Sequence, residues 1–276
     1  MLEVTIILLF AGLIVLTILY YPRLILLRRK RLKKRPFPVS WLAILEKNLS
    51  IYHFLSLEQQ LRLKENIQIF LADKQFIGCQ GLIIRLEMKL TIAGVACLLL
   101  FKEPSSYFSK VRTILLYPTA FVVSVTNNLG DYILEESRET RLGEAWLKDQ
   151  VVLSWQQIQY DVQHWHDGHN VILHEFVHQL DFEDGQANGV PILGKNSSYL
   201  LWAEVMNQEY QNLCNNIRLG RQSAIDGYGS KNPAEFFAVV SETFFENPKE
   251  LFSNHPELYQ LLKNYYQLNP LLWKQF

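Results

Sequence analysis

Apolar residues run from Val4 to Tyr21 without a single charge. An α-helix rises about 1.5 Å per residue, so this stretch just covers a hydrocarbon layer of about 30 Å. Leu24 to Leu27 can lengthen it where Arg23 snorkels toward the headgroups. Glu3 precedes the run, while Pro22 and a basic block follow it, which is the reverse of a cleaved signal peptide. The pattern predicts one transmembrane helix over residues 1–22 and a basic juxtamembrane linker over 23–40. Seven Lys and Arg lie between Arg28 and Arg35 and none precedes the run. Basic flanks stay on the cytoplasmic side. The expectation is therefore a single-pass protein of the cell membrane, with its N-terminus outside and the body in the cytoplasm. The basic block is either a topology signal alone or also a contact for anionic headgroups.

Beyond Pro36 and Pro38 the pattern becomes that of a globular domain, taken as 41–276. Leu57 to Leu71 has apolar positions at helical spacing, with Ser56 as N-cap. Phe76 to Leu86 reads as a strand entered through Gly78 and Gly81. Glu87 to Phe101 reads as a buried helix. Short β-like runs follow at 113–117, 120–123 and 151–155. Helical patterns then cover 171–181, 199–217, 233–246 and 256–268. The expected fold class is α+β, with a small central sheet and helices at both ends.

Charge changes this picture in one respect. The 27 basic and 27 acidic residues balance, but eight of the basic ones fall within 23–35, leaving residues 36–276 near −7. An acidic body disfavours nucleic acid as a partner, because phosphate contacts need clustered Lys and Arg. Cys79, Cys97 and Cys214 form no CxxC pair. They are expected as reduced, buried thiols, consistent with a cytoplasmic domain.

Candidate chemistry sits at residues 171–181, VILHEFVHQLD. His174 and His178 are four apart, which puts both imidazoles on one helix face, where they can share one Zn2+. Glu175 adjoins the first of them and can take a proton from a water attacking a carbonyl. A catalytic zinc usually takes three protein ligands. His164, His166 and His169 are near in sequence. Glu235 and Glu242 are the stronger candidates, seven apart on one face of the helix that Asn232 caps. Glu235 also stands where a glutamate closes a capping box, and Glu242 where an acid can orient a histidine or pair with an arginine. Spacing does not choose between them.

Several runs together carry a resemblance: LADKQFIGCQGL, IAGVACLLL, ILLYP, GEAW, VVLSW, DGHNVILHEFVHQLD and NPAEFFAVVSETFF. They resemble the MtfA family of bacterial zinc-dependent peptidases, also called the DgsA (Mlc) anti-repressor family, over most of the chain beyond the N-terminal run. The catalytic half is also similar to the metallopeptidase domain of anthrax lethal factor. The resemblance implies a zincin-like domain and a peptide or protein substrate. It implies His174, His178 and Glu235 as zinc ligands and Glu175 as the base. It also implies Tyr228, seven residues before Glu235, as a support for the oxyanion of a tetrahedral intermediate. Where lethal factor has a second glutamate, this chain has Val239, which leaves Glu242 as the acid for a supporting role. The family further implies a transcription-factor partner, and the N-terminal span is a departure from it. The alternative to an enzyme is an interaction protein that binds a repressor or a membrane partner through a domain whose zinc is structural or vestigial.

Overall fold

The structure is a computed structural model that describes residues 2–102, 107–119, 149–194 and 198–273. The strand expected at 120–123 and the GEAW run lie outside the described residues. Ten α-helices and three strands are found among those described. Helix α1 (Leu2–Lys33) continues through Pro22. The side chains of 2–4, 7–9, 11, 13–15, 18 and 19, which belong to the expected span, are not among those described. Among the described residues no helix is long and apolar enough to cross a membrane.

The basic stretch 23–35 is not a separate connector. Up to Lys33 it is helix, and it docks on α3 (Leu57–Asp73). Arg28 and Arg29 share the Asp73 carboxylate at 2.6 and 3.1 Å, Lys33 reaches Glu65 at 3.4 Å, and Leu32 is buried between them. Helix α2 (Val39–Asn48) follows. Ser56 caps α3 as expected: its Oγ accepts from the Gln59 N–H, and the Gln59 side chain accepts in return from the Ser56 N–H.

Strand β1 is Gln75–Gly78, shorter and earlier than the strand expected over 76–86. The chain turns back at once, with Gln80 and Gly81 at φ 50° and 79°. A Cβ on Gly78 would lie 1.8 Å from the Leu82 carbonyl oxygen, so the reversal requires glycine there. The apolar run LIIRL therefore leads into helix α4 (Leu86–Ala96) instead of extending the strand. Strands β2 (Thr113–Tyr117) and β3 (Gln150–Ser154) complete a sheet of order β1-β2-β3. All neighbours pair in parallel, with Phe76 opposite Ile114 and Ile114 opposite Val151. Ile114, Leu116, Val151 and Leu153 turn to the core and are buried. The α+β reading holds. The parallel pairing adds that each strand enters the sheet from the same end.

Ser154 ends β3 and caps α5 (Trp155–Gln163). After it come α6 (Val171–Asp181), α7 (Tyr199–Arg218), α8 (Pro233–Glu246), α9 (Pro248–Asn254) and α10 (Pro256–Tyr266). Helix α6 lies between β3 and α8. Phe176 anchors it, its ring 5.5 Å from that of Phe70 and 4.8 Å from that of Phe108. Helix α8 is enclosed on all sides and buried from Ala234 to Glu246. The three cysteines are free, as expected, but only Cys97 is buried; Cys79 and Cys214 are part-exposed because they sit at a strand end and on the outer helix α7.

Candidate metal centre

Helix α6 starts where the Asn170 side chain accepts a hydrogen bond from the Leu173 N–H at 3.2 Å. The orphan N–H of Val171 is taken by Asp161 of α5 at 2.8 Å. Ile172, Leu173, Phe176, Val177 and Leu180 face the core, which leaves His174 and His178 on the opposite, partly open side. Helix α8 supplies the other half. Asn232 caps it by accepting from the Glu235 N–H at 2.9 Å, with Pro233 in its first turn. That is one half of a capping box. The Glu235 side chain does not complete it and turns instead to the two histidines.

Three donor atoms converge. His174 Nε2 stands 3.1 Å from Glu235 Oε2, His178 Nε2 stands 3.4 Å from the same oxygen, and the two Nε2 atoms are 3.2 Å apart. Ligands held at 2.0–2.2 Å by a tetrahedral zinc are spaced about 3.3 Å from one another. The donor set, two imidazole nitrogens and one carboxylate oxygen, therefore fits zinc in spacing and in chemistry. Among the described residues, it is the one group of three or more His, Cys, Asp or Glu that could hold a metal ion. His164, His166 and His169 do not join it. They contact the Tyr160 carbonyl, the Glu246 carbonyl and, at 3.8 Å, Asp226.

Glu242 occupies a different place from Glu235. Its Oε1 accepts from His174 Nδ1–H at 2.7 Å, and its Oε2 accepts from the Asn170 N–H at 2.6 Å. An ionised carboxylate only accepts, so this contact keeps the proton on Nδ1 and turns Nε2 toward the cluster. Asn170 continues the chain of contacts: its amide donates to Glu246 at 3.0 Å, and Glu246 also accepts from the His166 N–H at 3.0 Å. Glu235, Glu242 and Glu246 thus form an acid stripe along a largely apolar helix, facing α6 and the turn before it.

The charges are strongly coupled. Burial alone would lower the His174 pKa, but its bonds to Glu235 and Glu242 outweigh that and hold it well above the usual range. Burial would raise Glu235; the histidines overcome it and bring the carboxyl down to about 2. Burial lifts the Glu175 carboxyl, opposed by His174 and His178. Burial also raises Glu246 to about 8 and Asp161 to about 6. Tyr228 lies in the short 3-10 turn Gly227–Ser230 that rests on α8, its N–H bonded to Asp226 at 2.7 Å. Its ring stands 5.9 Å from the His174 ring, edge-on. The turn thus places Tyr228 beside the cluster.

Sequence reasoning left Glu242 open between metal ligand, histidine-orienting acid and arginine partner, and overlooked Asn170 and Glu246. The signal was present: glutamates at 235, 242 and 246 fall at helical spacing on a run otherwise almost wholly apolar. A buried helix carrying three acids on one side needs partners for them.

Two imidazoles and a carboxylate brought together by two buried helices, with a further acid next to the first imidazole, define the metallopeptidases built on a histidine-bearing helix. Within that class the chain belongs to the glucose-regulated metallo-peptidase M90 family, whose model matches residues 24–267. An uncharacterized protein of Synechocystis is 45% identical over 253 residues, 91% of this chain and 92% of that protein. Mlc titration factor A of Yersinia pestis is 30% identical over 231 residues, 81% of this chain and 83% of that protein, and the same protein of Yersinia pseudotuberculosis matches equally. The match opens inside the basic stretch, in keeping with its docking on α3.

Proposed function

We propose that this chain is a zinc peptidase held at a membrane by α1. The observation that carries the first part is the spacing of 3.1, 3.2 and 3.4 Å among the donors of His174, His178 and Glu235. Bound there, zinc would supply Lewis acidity toward a carbonyl and a water. The chain's own groups do the rest. His174, His178 and Glu235 hold the ion, and Glu242 fixes the tautomer and ring plane of His174. Glu175 accepts the proton of the attacking water and passes it to the leaving amine. Its carboxylate makes no hydrogen bond within the protein among the described residues, so it is available for that transfer. The Tyr228 hydroxyl, likewise unbonded among the described residues, donates to the oxyanion that develops on the scissile carbonyl.

The membrane part is supported by the uncharged run 4–21 and the basic residues after it. On that support we infer an N-terminus outside and a peptidase domain in the cytoplasm, as a single-pass protein. A second role is supported by the name of the Yersinia relatives, which are titration factors of Mlc. On that reading the same domain binds a transcription factor, and peptide cleavage is absent. The test is cleavage of a peptide library by the full chain in detergent, before and after chelation and zinc return. Chelator-sensitive cleavage restored by zinc supports the peptidase. A zinc-replete protein that cleaves nothing contradicts it and leaves the binding role.

A further inference from the structure

Away from the metal centre, the last turns of α1 and the end of α3 enclose a groove of about 380 Å³. Leu24, Leu27, Arg28, Arg31 and Leu32 line it from α1, Arg35 lines it from the bend just after α1, and Ala72 lines it from α3. The α1 positions fall at i, i+3, i+4, i+7 and i+8, so they form one helix face. Its two ends differ. Leu24 and Leu27, 60% and 52% exposed, are the apolar end, nearest the run 4–21. Arg28, Arg31 and Arg35 form the cationic end.

Arg28 is already held in place, donating to Asp73 at 2.6 Å and to the Ala72 carbonyl at 2.7 Å. The side chains of Arg31 and Arg35 have no ion pair or hydrogen bond among the described residues. Seven bases lie between Arg28 and Arg35, and among the described residues Asp73 pairs with Arg28 and Arg29 and Glu65 pairs with Lys33. The groove thus carries unspent positive charge next to exposed leucines, at the level where α1 would leave a bilayer. A soluble anion would leave the leucines in water. A nucleic acid would meet the acidic body. An amphiphile with an anionic head meets both ends of the groove.

We propose that this groove binds an anionic phospholipid, its phosphate between Arg31 and Arg35 and the root of its acyl chains on Leu24 and Leu27. The proposal rests on the membrane reading of α1. Basic pockets at the cytoplasmic side of membrane helices take such headgroups by charge and shape together. A bound lipid would clamp α1 against α3 and fix the height of the domain above the bilayer.

The test uses the full chain in mixed micelles of detergent with phosphatidylglycerol and phosphatidylcholine, and counts retained lipids by native mass spectrometry. Wild type is expected to retain phosphatidylglycerol over phosphatidylcholine. The double variant Arg31→Gln/Arg35→Gln should lower that preference roughly tenfold. The control Lys47→Gln/Lys249→Gln removes the same charge elsewhere and should leave the preference intact. Excess inorganic phosphate should not displace the lipid. Equal retention by wild type and the Arg31/Arg35 variant overturns the proposal, as does an equal loss in the control, which would mean bulk charge alone. Displacement by phosphate also overturns it, since the groove would then be a soluble-anion site. Carbonate extraction of cell membranes reads the anchor separately: release of wild type into the supernatant counts against the anchor, whereas the lipid preference is read in micelles.

Discussion

At the scale of single residues, the two glutamates that spacing could not tell apart are distinguished by what they touch. Glu235 reaches both histidines through one oxygen, whereas Glu242 touches just one of the two, His174, on the far nitrogen. Their variants should therefore differ. Glu235→Gln replaces an anionic donor by a neutral one and should lower zinc affinity and peptidase activity together. Glu242→Gln should leave the centre able to form and cost about 10- to 100-fold in affinity or activity. Zinc titration beside activity at saturating zinc checks both, and tight zinc in Glu235→Gln with loss in Glu242→Gln would reverse the assignment. Tyr228 is tested by Tyr228→Phe, which keeps the ring against His174 and removes only the hydroxyl. If that hydroxyl meets the oxyanion, kcat should fall about 10²- to 10³-fold with KM little changed and zinc content unaltered. An unchanged kcat would make Tyr228 a packing residue of its turn.

At the scale of elements, the helices of the metal centre were legible because their ends carry strong chemistry. Asn232-Pro233 opens α8, and the polar turn before Val171 opens α6, and both begin where expected. Strand β1 was misplaced because the LIIRL run is apolar enough for a strand, while the turn at Gln80 and Gly81 is a local backbone event that apolar pattern does not reveal. Helix α5 has no counterpart among the expected elements: the strand expected over 151–155 takes in its first residue, Trp155, because Ser154 is both the last residue of β3 and the cap of α5. The parallel pairing of the sheet depends on partners far apart in sequence, which short apolar runs do not encode. The contact chain from His166 through Glu246 and Asn170 to Glu242 has a pH signature. Glu246 holds its proton up to about 8 in the folded chain, far above its ordinary 4.5. The unfolded chain releases that proton, so unfolding is favoured as pH rises between these values and stability falls. Asp161, raised to about 6 by burial, adds to the same slope at its lower end. Denaturation of the chelated protein should show a lower urea midpoint at pH 8 than at pH 5, with a flatter slope in Glu246→Gln. An equal slope in both proteins would mean that Glu246 titrates normally.

At the scale of the whole molecule, the family match and the structure agree that the basic end of α1 belongs with the domain, packed on α3. On the proposed anchoring, that would bring the domain close to the bilayer, because residues 23–33 are helix packed on α3. The expected topology can be read with a reporter fused at Phe276: it should be active in the cytoplasm, and the domain should resist protease added to intact spheroplasts. Digestion from outside would reverse the orientation. Substrate was illegible in the sequence for a physical reason. It depends on surfaces assembled around the metal centre by segments distant in the chain, whereas the ligands themselves announce their chemistry by residue type and spacing.

The central claim is that His174, His178 and Glu235 hold a zinc ion and that Glu175 is the base beside it. It is tested most directly by measuring zinc content and peptide cleavage on the same samples of wild type and Glu175→Gln. The substitution keeps the size of the side chain and leaves every donor of the cluster in place. The expected result is about one zinc per chain in both proteins, with cleavage reduced about 10²- to 10⁴-fold in the variant. Cleavage by Glu175→Gln at the wild-type rate, with zinc equally bound, would contradict the account.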